Sequence, residues 1–294
     1  MRRAVVLAHH DPDGVVDPHV VKALERSRGV ADRLVVVSTS ARRLPGALDG
    51  TVDTFLARDN TGYDFGSWRA GLAALSPRGA FDAPGYDEVL CVNDSVYGPL
   101  ADPAPLMTDP RTAGADLWGM VLSRQPPRGG GRTPRPHLQS WFFAARRALL
   151  AAPSWQRFWE GVTALDTKDA VVARYELGLS ERAAAGFRIA GLYDAGLAPP
   201  AGWADVAAHL SPRRPLRSWR LVRKARRPLH NPAELLPARL LAAGVPYLKV
   251  SLLRVNHYGL DPRVVRADLA AAAAAGGYDA ALVDAHLARI TARG

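Results

Sequence analysis

The sequence of 294 residues predicts an α/β protein in which a mainly parallel central sheet is followed by a C-terminal helical extension. Over the first two-thirds of the chain, short apolar runs alternate with helical patterns. This alternation is typical of a parallel sheet with helices on both faces. Near residue 211 the composition becomes basic and then alanine-rich, so we divide the chain into an α/β domain of residues 1–210 and an extension of residues 211–294.

The predicted elements follow from these runs in chain order. Strands are expected at residues 4–8, 34–38, 54–57, 88–92, 117–122, 137–144 and 187–190, where the residues are mostly apolar. Helices are expected at residues 18–28, 67–75, 154–165, 175–185, 263–275 and 280–290. The proline- and glycine-rich residues 124–136 predict a mobile loop between the fifth and sixth strands.

The composition excludes several classes of protein. The single cysteine, Cys91, falls inside the fourth predicted strand, which excludes a disulfide framework and a cysteine-based metal site. No run approaches 18 uninterrupted apolar residues, and His9, His10 and Asp11 end the first apolar run too early for a signal peptide. We therefore expect a cytoplasmic protein. The formal net charge of +10 favours anionic partners such as phosphorylated ligands, nucleic acid or an acidic membrane face.

A polar turn directly follows the fourth strand. Asn93, Asp94 and Ser95 arrive together at its carboxyl end, which is where open α/β sheets bind ligands. A carboxylate flanked by an amide and a hydroxyl suits a hydrated divalent cation that carries a diphosphate. The alternative is an ordinary strand cap, because the same residue types are common in turns.

A second candidate segment follows the third strand and opens a helix. Gly62 and Gly66 let the backbone approach a ligand closely, and the helix N-terminus behind them offers free N–H groups to an anion. Asn60 and Asp64 are candidates to contact a base or a ribose, although Asp64 would also serve as a plain N-cap residue. No dinucleotide fingerprint follows the first strand, and the chain has no P-loop.

Two further segments carry polar residues beside apolar ones. Glu176 begins a predicted helix, where it would either accept a proton from an attacking hydroxyl or only stabilise the helix dipole. His137 and Gln139 alternate with apolar residues and so point to one face of a strand. That face would line a sugar site, with Trp141 as a stacking platform, or would be a half-exposed surface without a ligand.

Seven motifs together resemble the rhamnan synthesis F family of bacterial polysaccharide glycosyltransferases. They stand in the expected order between residues 58 and 256, and they are Asn60-x-Gly62-x-Asp64-x-Gly66, Asn93-Asp94-Ser95-x-Tyr97-Gly98-Pro99, Asp116-x-Trp118-Gly119, His137-Leu138-Gln139-Ser140, Tyr175-Glu176-x-Gly178-Leu179-Ser180, Asn231-Pro232, and residues 246–254.

The resemblance implies a GT-A-like glycosyltransferase fold and a nucleotide-sugar donor, for which it suggests dTDP-L-rhamnose. It also implies a cell-surface polysaccharide or a lipid-linked glycan as the acceptor. In this interpretation Glu176 is the catalytic base of an inverting transfer, and Asp94 holds the donor diphosphate through Mg²⁺ or Mn²⁺. The other expected donor-site residues are Asn60, Gly62, Asp64, Asn93, Ser95, Lys249 and Arg254, and those expected at the acceptor or sugar are Asp116, Trp118, His137, Gln139 and Trp141. Asp116 is the next candidate for the base.

A basic segment marks the start of the extension. Its charged residues are Arg213, Arg214, Arg217, Arg220, Arg223, Lys224, Arg226 and Arg227, interleaved with Leu216, Trp219, Leu221 and Val222. Such a segment is either a solvated, flexible linker or a surface for anionic lipids, which would bring the protein to the inner face of the cell membrane.

Two other classes of protein compete with a glycosyltransferase. A catalytically inactive nucleotide-sugar or carbohydrate-binding protein is suggested by the single carboxylate of the Asn93-Asp94-Ser95 turn. A nucleic-acid-binding protein is suggested by charge alone. Because the chain lacks zinc-finger spacing and RNP-type aromatic motifs, we expect no nucleic acid partner.

Overall fold

The computed structural model describes residues 1–125, 135–226 and 230–292. The strands are β1 (Arg3–His9), β2 (Arg33–Ser38), β3 (Thr54–Ala57), β4 (Glu88–Asn93), β5 (Val96–Tyr97), β6 (Leu117–Ser123), β7 (His137–Leu138), β8 (Phe142–Arg146), β9 (Ile189–Asp194) and β10 (Leu248–Lys249). The helices are α1 (Pro18–Arg28), α2 (Tyr63–Ala74), α3 (Arg147–Leu150), α4 (Pro153–Glu160), α5 (Lys168–Val171), α6 (Leu177–Ala184), α7 (Trp203–Val206), α8 (Pro215–Ala225), α9 (Pro232–Leu235), α10 (Pro237–Ala242), α11 (Val250–Arg254), α12 (Pro262–Ala275) and α13 (Ala281–Thr291).

Eight strands form the central sheet in the order β3-β2-β1-β4-β8-β6-β7, with β9 paired to β6. The pairs β3–β2, β2–β1, β1–β4 and β6–β9 are parallel. Only β8 and β7 run the opposite way. Since β8 is antiparallel to both β4 and β6, these two strands run in the same direction, and the carboxyl ends of β1, β2, β3, β4 and β6 meet at one edge. The predicted α/β class with a mainly parallel central sheet is therefore confirmed.

Apolar side chains cover both faces of the sheet because successive residues of a strand point to opposite sides. On β1, Val6 packs against the layer of α2, α4 and α6, while Val5 and Leu7 pack on the opposite face with α1. A third apolar cluster joins Tyr97 and Leu100 to the helices of the C-terminal region. None of the described helices is long and apolar enough to cross a membrane. The division of the chain at residue 211 stays a prediction.

A buried carboxylate links four strands at the amino edge of the sheet. Glu88 is fully buried at the start of β4. It accepts hydrogen bonds from Arg3 Nε at 2.7 Å, Trp118 Nε1 at 2.7 Å and Arg146 Nε at 3.1 Å. Removing one partner of such a buried group costs about 3–5 kcal/mol, because the remaining charge is left uncompensated. The network therefore fixes the relative positions of β1, β4, β6 and β8.

Several predicted boundaries differ from the structure. The predicted strand 137–144 is two strands, because the chain turns at Ser140 after β7 and then pairs with β4 as β8. The predicted helix 154–165 ends at Glu160, and the helix predicted at 67–75 begins at Tyr63, after the left-handed Gly62. The predicted strand 187–190 lies instead at Ile189–Asp194. Most of the predicted loop, residues 126–134, lies outside the described residues, as does Arg227.

The predicted helix start at Glu176 is wrong. The helical run begins eight residues earlier, at Lys168, because the Thr167 side chain caps it by accepting the Ala170 N–H at 3.2 Å. A π-helical turn, Val172–Glu176, joins α5 to α6. Glu176 consequently lies in the interior of a helical run, where a carboxylate has no helix N-terminus to stabilise.

Candidate functional site

A cleft of about 630 Å³ opens at the carboxyl edge of the parallel strands. His9, His10, Asp94 and Ser95 line it on the side of the sheet. The facing wall comes from later parts of the chain and includes Lys168, Glu234, Lys249, Ser251, Arg254 and His257. Asp11, Asp17, His19 and His286 line one end of the cleft. The cleft therefore lies between the sheet edge and a wall that carries both acidic and basic side chains.

Asp94 is held against the end of β1. The parallel register pairs Ala8 with Asn93, so the next residues of both strands emerge side by side. The His10 backbone N–H donates to Asp94 Oδ2 at 2.6 Å, and His9 Nε2 lies 4.0 Å from the same oxygen. Burial, with smaller contributions from the neighbouring carboxyls of Asp64 and Asp11, raises the pKa of Asp94 to about 8, although the His10 hydrogen bond opposes the rise. Asp94 is thus a carboxyl that lacks compensating positive charge.

Asn93 joins β4 to the first turn of α2. Its Nδ2 donates to Asp64 Oδ2 at 2.8 Å, and its Oδ1 accepts from Ser95 N at 3.1 Å and from Ser95 Oγ at 2.6 Å. Gly62 precedes α2 with φ of 79°, a conformation that favours glycine. Burial raises the pKa of Asp64, while the Asn93 hydrogen bond opposes that rise. The structure therefore brings Asp64, Asn93, Asp94 and Ser95 together, whereas Asn60 is exposed on the loop before Gly62.

Glu176 reaches the chain turn between β7 and β8. The backbone N–H of Ser140 donates to Glu176 Oε2 at 2.9 Å, and Ser140 Oγ donates to the same oxygen. The other oxygen, Oε1, lies 3.9 Å from His137 Nε2. Two donors on Oε2 fix the carboxylate and leave Oε1 to face a further group. Glu176 also acts electrostatically on Asp64 and Lys249, raising the pKa of both groups.

Lys249 supplies positive charge at the facing wall. The antiparallel pairing of β10 with β5 places Lys249 opposite Val96, one residue beyond Ser95. Burial lowers the pKa of Lys249, and the carboxylates of Glu234 and Glu176 oppose that shift. Arg254 is exposed on the same wall. Lys249 and Arg254 therefore both face the space beside Ser95.

Sequence reasoning missed Glu234 and Lys168. Glu234 is only 6% exposed, accepts a hydrogen bond from Ser251 Oγ, and has a second oxygen, Oε2, without a partner among the described residues. It follows Asn231, whose side chain caps α9 by accepting the Ala233 N–H. That capping pattern predicts a helix start, but no local signal shows that α9 lines the cleft.

Three predicted acceptor or sugar residues are placed elsewhere by the structure. Asp116 precedes β6, which runs parallel to β4, so it lies at the amino edge of the sheet and accepts the Arg188 N–H at 2.9 Å. Trp118 is fully buried against Glu88. Trp141 is 4% exposed and donates to Gln139 Oε1 at 2.9 Å, so it offers no open face to a sugar. Asp116, Trp118 and Trp141 therefore do not line the cleft described above.

His137 and Gln139 are buried rather than arrayed on an exposed strand face. His137 approaches Glu176, as described above. Gln139 Nε2 donates to Asn231 Oδ1 at 2.7 Å, which connects the turn before β8 to the start of α9. Gln139 thus supports the start of α9 through a hydrogen bond, whereas His137 Nδ1 lies 3.0 Å from the Arg135 carbonyl oxygen and its Nε2 only approaches Glu176.

The model of the family described as rhamnan synthesis protein F matches residues 34–198, more than half of the chain. This protein therefore belongs to the rhamnan synthesis protein F family. The matched range contains β2 to β9, and with them Asp64, Asp94 and Glu176. Lys249, Arg254 and the C-terminal helices lie beyond it.

Two curated relatives share part of this sequence. An uncharacterized protein, y4gN, of Sinorhizobium fredii is 26% identical over 140 residues, which are 47% of this chain and 34% of that protein. The virulence protein VirA of Vibrio anguillarum is 29% identical over 150 residues, which are 50% of this chain and 44% of that protein. The matched part thus spans less than half the length of either relative.

Solved structures show only a distant likeness. A structure of S. aureus TarS matches 97% of this chain and 91% of its own, with 10% identity and a TM-score of 0.38. Glucosyl-3-phosphoglycerate synthase from Mycobacterium tuberculosis matches 50% of this chain and 58% of its own, with 16% identity and a TM-score of 0.31. Both TM-scores lie below 0.5.

The raised pKa of Asp94 predicts how stability changes with pH. Because the folded carboxyl takes up its proton near pH 8 and the unfolded one near the usual aspartate value of 3.8, its contribution to stability falls as pH rises between these values. Asp94→Asn removes the titration and keeps an acceptor for the His10 N–H. We expect its melting temperature to match wild type near pH 4 and to exceed it by several degrees at pH 8, since about 1 kcal/mol shifts a large domain by roughly 2–4 °C.

The matched control is Asp59→Asn, because the Asp59 side chain is 89% exposed. Its melting curve should follow that of the wild type at every pH. Melting temperatures of Asp94→Asn and wild type that stay parallel from pH 4 to pH 8 would contradict the raised pKa.

Proposed function

We propose that this protein is an inverting glycosyltransferase of GT-A-like fold. The observation that carries the proposal is the cleft at the carboxyl edge of the sheet, which Asp94 and Lys249 both line, while the nearby Asp64 acts electrostatically on both of them. Ligands of open α/β sheets bind at this edge. Membership of the rhamnan synthesis protein F family supports a nucleotide-sugar donor, with dTDP-L-rhamnose as the proposed sugar nucleotide. The proposed acceptor is a cell-surface polysaccharide or a lipid-linked glycan.

The donor set beside β4 fits Mg²⁺ or Mn²⁺. Its ligands are oxygens, from the Asp94 carboxylate and the Ser95 hydroxyl, and oxygen ligands are what these cations prefer. Asp64 and Asp11 each raise the pKa of Asp94, so the carboxyls repel one another and a dication would balance them. When bound, the metal would offset the charge of the donor diphosphate. Asp94 is the residue proposed to hold it.

Different side chains in and beside the cleft are proposed to order the donor, to offset the charge of the leaving group and to accept the proton. Asn93 fixes Asp64 and Ser95 through three hydrogen bonds, so these groups are already ordered for the nucleotide. Lys249 and Arg254 offer positive charge to the diphosphate as it departs. Ser140 holds one oxygen of Glu176, which leaves Oε1 to accept the proton of the acceptor hydroxyl.

In the proposed reaction the acceptor oxygen attacks the anomeric carbon of the donor from the face opposite the diphosphate. The new glycosidic bond forms as the bond from the anomeric carbon to the diphosphate oxygen breaks, and the nucleoside diphosphate leaves with that electron pair. The hydroxyl proton passes to Glu176 Oε1. The configuration at the anomeric carbon is inverted because a single displacement takes place.

Glu176→Gln tests the base directly. Glutamine keeps the shape and still accepts the two Ser140 hydrogen bonds, but it cannot take up a proton. We expect transfer to fall by roughly 10²–10⁴-fold, the usual contribution of general base catalysis, while donor affinity is unchanged. Transfer is measured with radiolabelled donor, and donor affinity by calorimetry.

Glu181→Gln is the matched control, because Glu181 lies on α6, which directly follows the π-helical turn of Glu176, and pairs with Arg135 at 3.2 Å. It should transfer at the wild-type rate. A Glu176→Gln protein with normal transfer would show that the base lies elsewhere. A wild-type protein that binds the donor but neither transfers nor hydrolyses it would favour the catalytically inactive binding protein.

We also propose that the basic segment contacts an anionic membrane surface. Residues 215–225 of this segment form the helix α8, with Leu221 and Ala225 packed inward. Outward side chains combine apolar and basic groups. Leu216 is 73% exposed, Trp219 is 59% exposed, and the Arg223 guanidinium lies 4.9 Å from the Trp219 ring centre. Helices of this composition bind at lipid interfaces.

Charge removal on α8 tests the membrane proposal. A basic residue near an anionic surface contributes about 1 kcal/mol, so Arg220→Gln with Arg223→Gln should weaken binding to anionic vesicles by roughly 30-fold. The control is Arg42→Gln with Arg43→Gln, which removes the same charge from another exposed site. Vesicle co-sedimentation at low and high salt gives the affinities. Equal binding to anionic and neutral vesicles, or equal losses in both double variants, would contradict the proposal.

A further inference from the structure

Three metal-ligating side chains meet at one end of the cleft. Asp17 and His19 lie at the start of α1, and His286 comes from α13 near the end of the chain. One ligand atom of each lies within 4.8 Å of the other two. All three residues are buried, and all three line the cleft. The folding of α13 against α1 therefore creates a cluster that the sequence does not reveal.

His19 is the member of this cluster with an unpaired buried nitrogen. Its side chain is only 3% exposed, yet its Nδ1 has no hydrogen-bond partner among the described residues. Buried polar nitrogens are nearly always paired, so such a nitrogen calls for a ligand. Burial and the neighbouring His286, His9 and Arg289 together lower the pKa of His19 to about 3, which disfavours the protonated imidazole.

The other two ligands are oriented by their neighbours. Tyr97 OH lies 2.8 Å from His286 Nδ1, which leaves Nε2 directed toward Asp17 Oδ2 at 3.9 Å. Metal-binding histidines commonly use their second nitrogen for such a hydrogen bond. Arg289 donates to both oxygens of Asp17, from Nε to Oδ1 at 2.9 Å and from Nη2 to Oδ2, and the same guanidinium also contacts Asp11 and Asp13. Three carboxylates around one guanidinium leave net negative charge beside the two imidazoles.

We propose that Asp17, His19 and His286 form a binding site for a transition-metal dication of the Zn²⁺ class. Two imidazole nitrogens and one carboxylate oxygen suit Zn²⁺, whereas Mg²⁺ prefers oxygen ligands alone. With ligand bonds of roughly 2.0–2.2 Å, tetrahedral ligand atoms lie about 3.3–3.6 Å apart. The three ligand atoms, which now lie within 4.8 Å of one another, must therefore move closer together around the ion.

This site differs from the proposed cation position at Asp94 in its ligands and in its metal. Three protein ligands leave a fourth coordination position, and the cleft that they line gives a water molecule or a ligand access to it. The bound ion would also join α1 to α13, so the last helix would be fixed to the wall of the cleft. The inference does not depend on the proposed glycosyltransferase activity.

Metal titration of the full chain tests the site without any sugar donor. Protein lacking an affinity tag is stripped with chelator and titrated with Co²⁺, whose visible absorption reports tetrahedral coordination, and then with Zn²⁺ by calorimetry. We expect one Zn²⁺ per chain, displacement of Co²⁺ by Zn²⁺, and no displacement by Mg²⁺. His19→Ala and His286→Ala should each weaken Zn²⁺ binding by at least about 100-fold, since loss of even a supporting contact costs 10–100-fold.

His257→Ala is the matched control, because His257 is an exposed histidine that lines the same cleft. It should bind Zn²⁺ as the wild type does. His19→Gln provides a second, more conservative variant, and circular dichroism verifies that each variant is folded. Absence of Zn²⁺ binding to wild type, or unchanged binding in folded His19 and His286 variants, would overturn the proposal. An equal loss in His257→Ala would also overturn it.

Discussion

The parallel pairing of β1 with β4 is the constraint on which the cleft depends. It brings the ends of both strands to one edge, where the His10 N–H can donate to Asp94 Oδ2. The Glu88 network at the opposite edge fixes the strands that this pairing needs. Because one residue of slip in register would turn every side chain to the other face, the position of Asp94 follows from the packing of the whole sheet.

The cleft concentrates charged groups that a protein interior would normally exclude. Asp94 and Asp64 lie close enough that Asp64 raises the pKa of Asp94, and burial raises both. On the facing wall, burial lowers the pKa of Lys249. The pKa values of the two aspartates and of Lys249 shift in opposite directions for the same reason. Removal of water disfavours the charged form of each group. A ligand that carries a diphosphate and a dication would satisfy both walls together, and perturbed groups of this kind cluster at functional sites.

Local sequence patterns predicted many of the residues near the cleft. They did not predict positions that depend on contacts between segments far apart in the chain. The Asn93-Asp94-Ser95 turn and the segment from Gly62 to Asp64 were found because each comes after a strand and before the next element, and parallel strands end at the same edge. Asp116 and Trp118 were misplaced because the direction of β6 relative to β4 depends on β8, which comes later in the chain. Glu234 and His286 reach the cleft only through the packing of the C-terminal helices, which no periodicity in the sequence specifies.

Donor binding is the most direct test of the central claim that the cleft holds a nucleotide sugar through Asp94. Thermal stabilisation is measured with dTDP-L-rhamnose, UDP-glucose, UDP-galactose and GDP-mannose in the presence of Mg²⁺ or Mn²⁺, for wild type and for Asp94→Ala. At a concentration of 100 times Kd a ligand stabilises by about 2.7 kcal/mol, so one donor should raise the wild-type melting temperature by roughly 5–10 °C. We expect this rise to be lost in Asp94→Ala. An equal rise in both proteins, or no rise in the wild type with any donor, would contradict it.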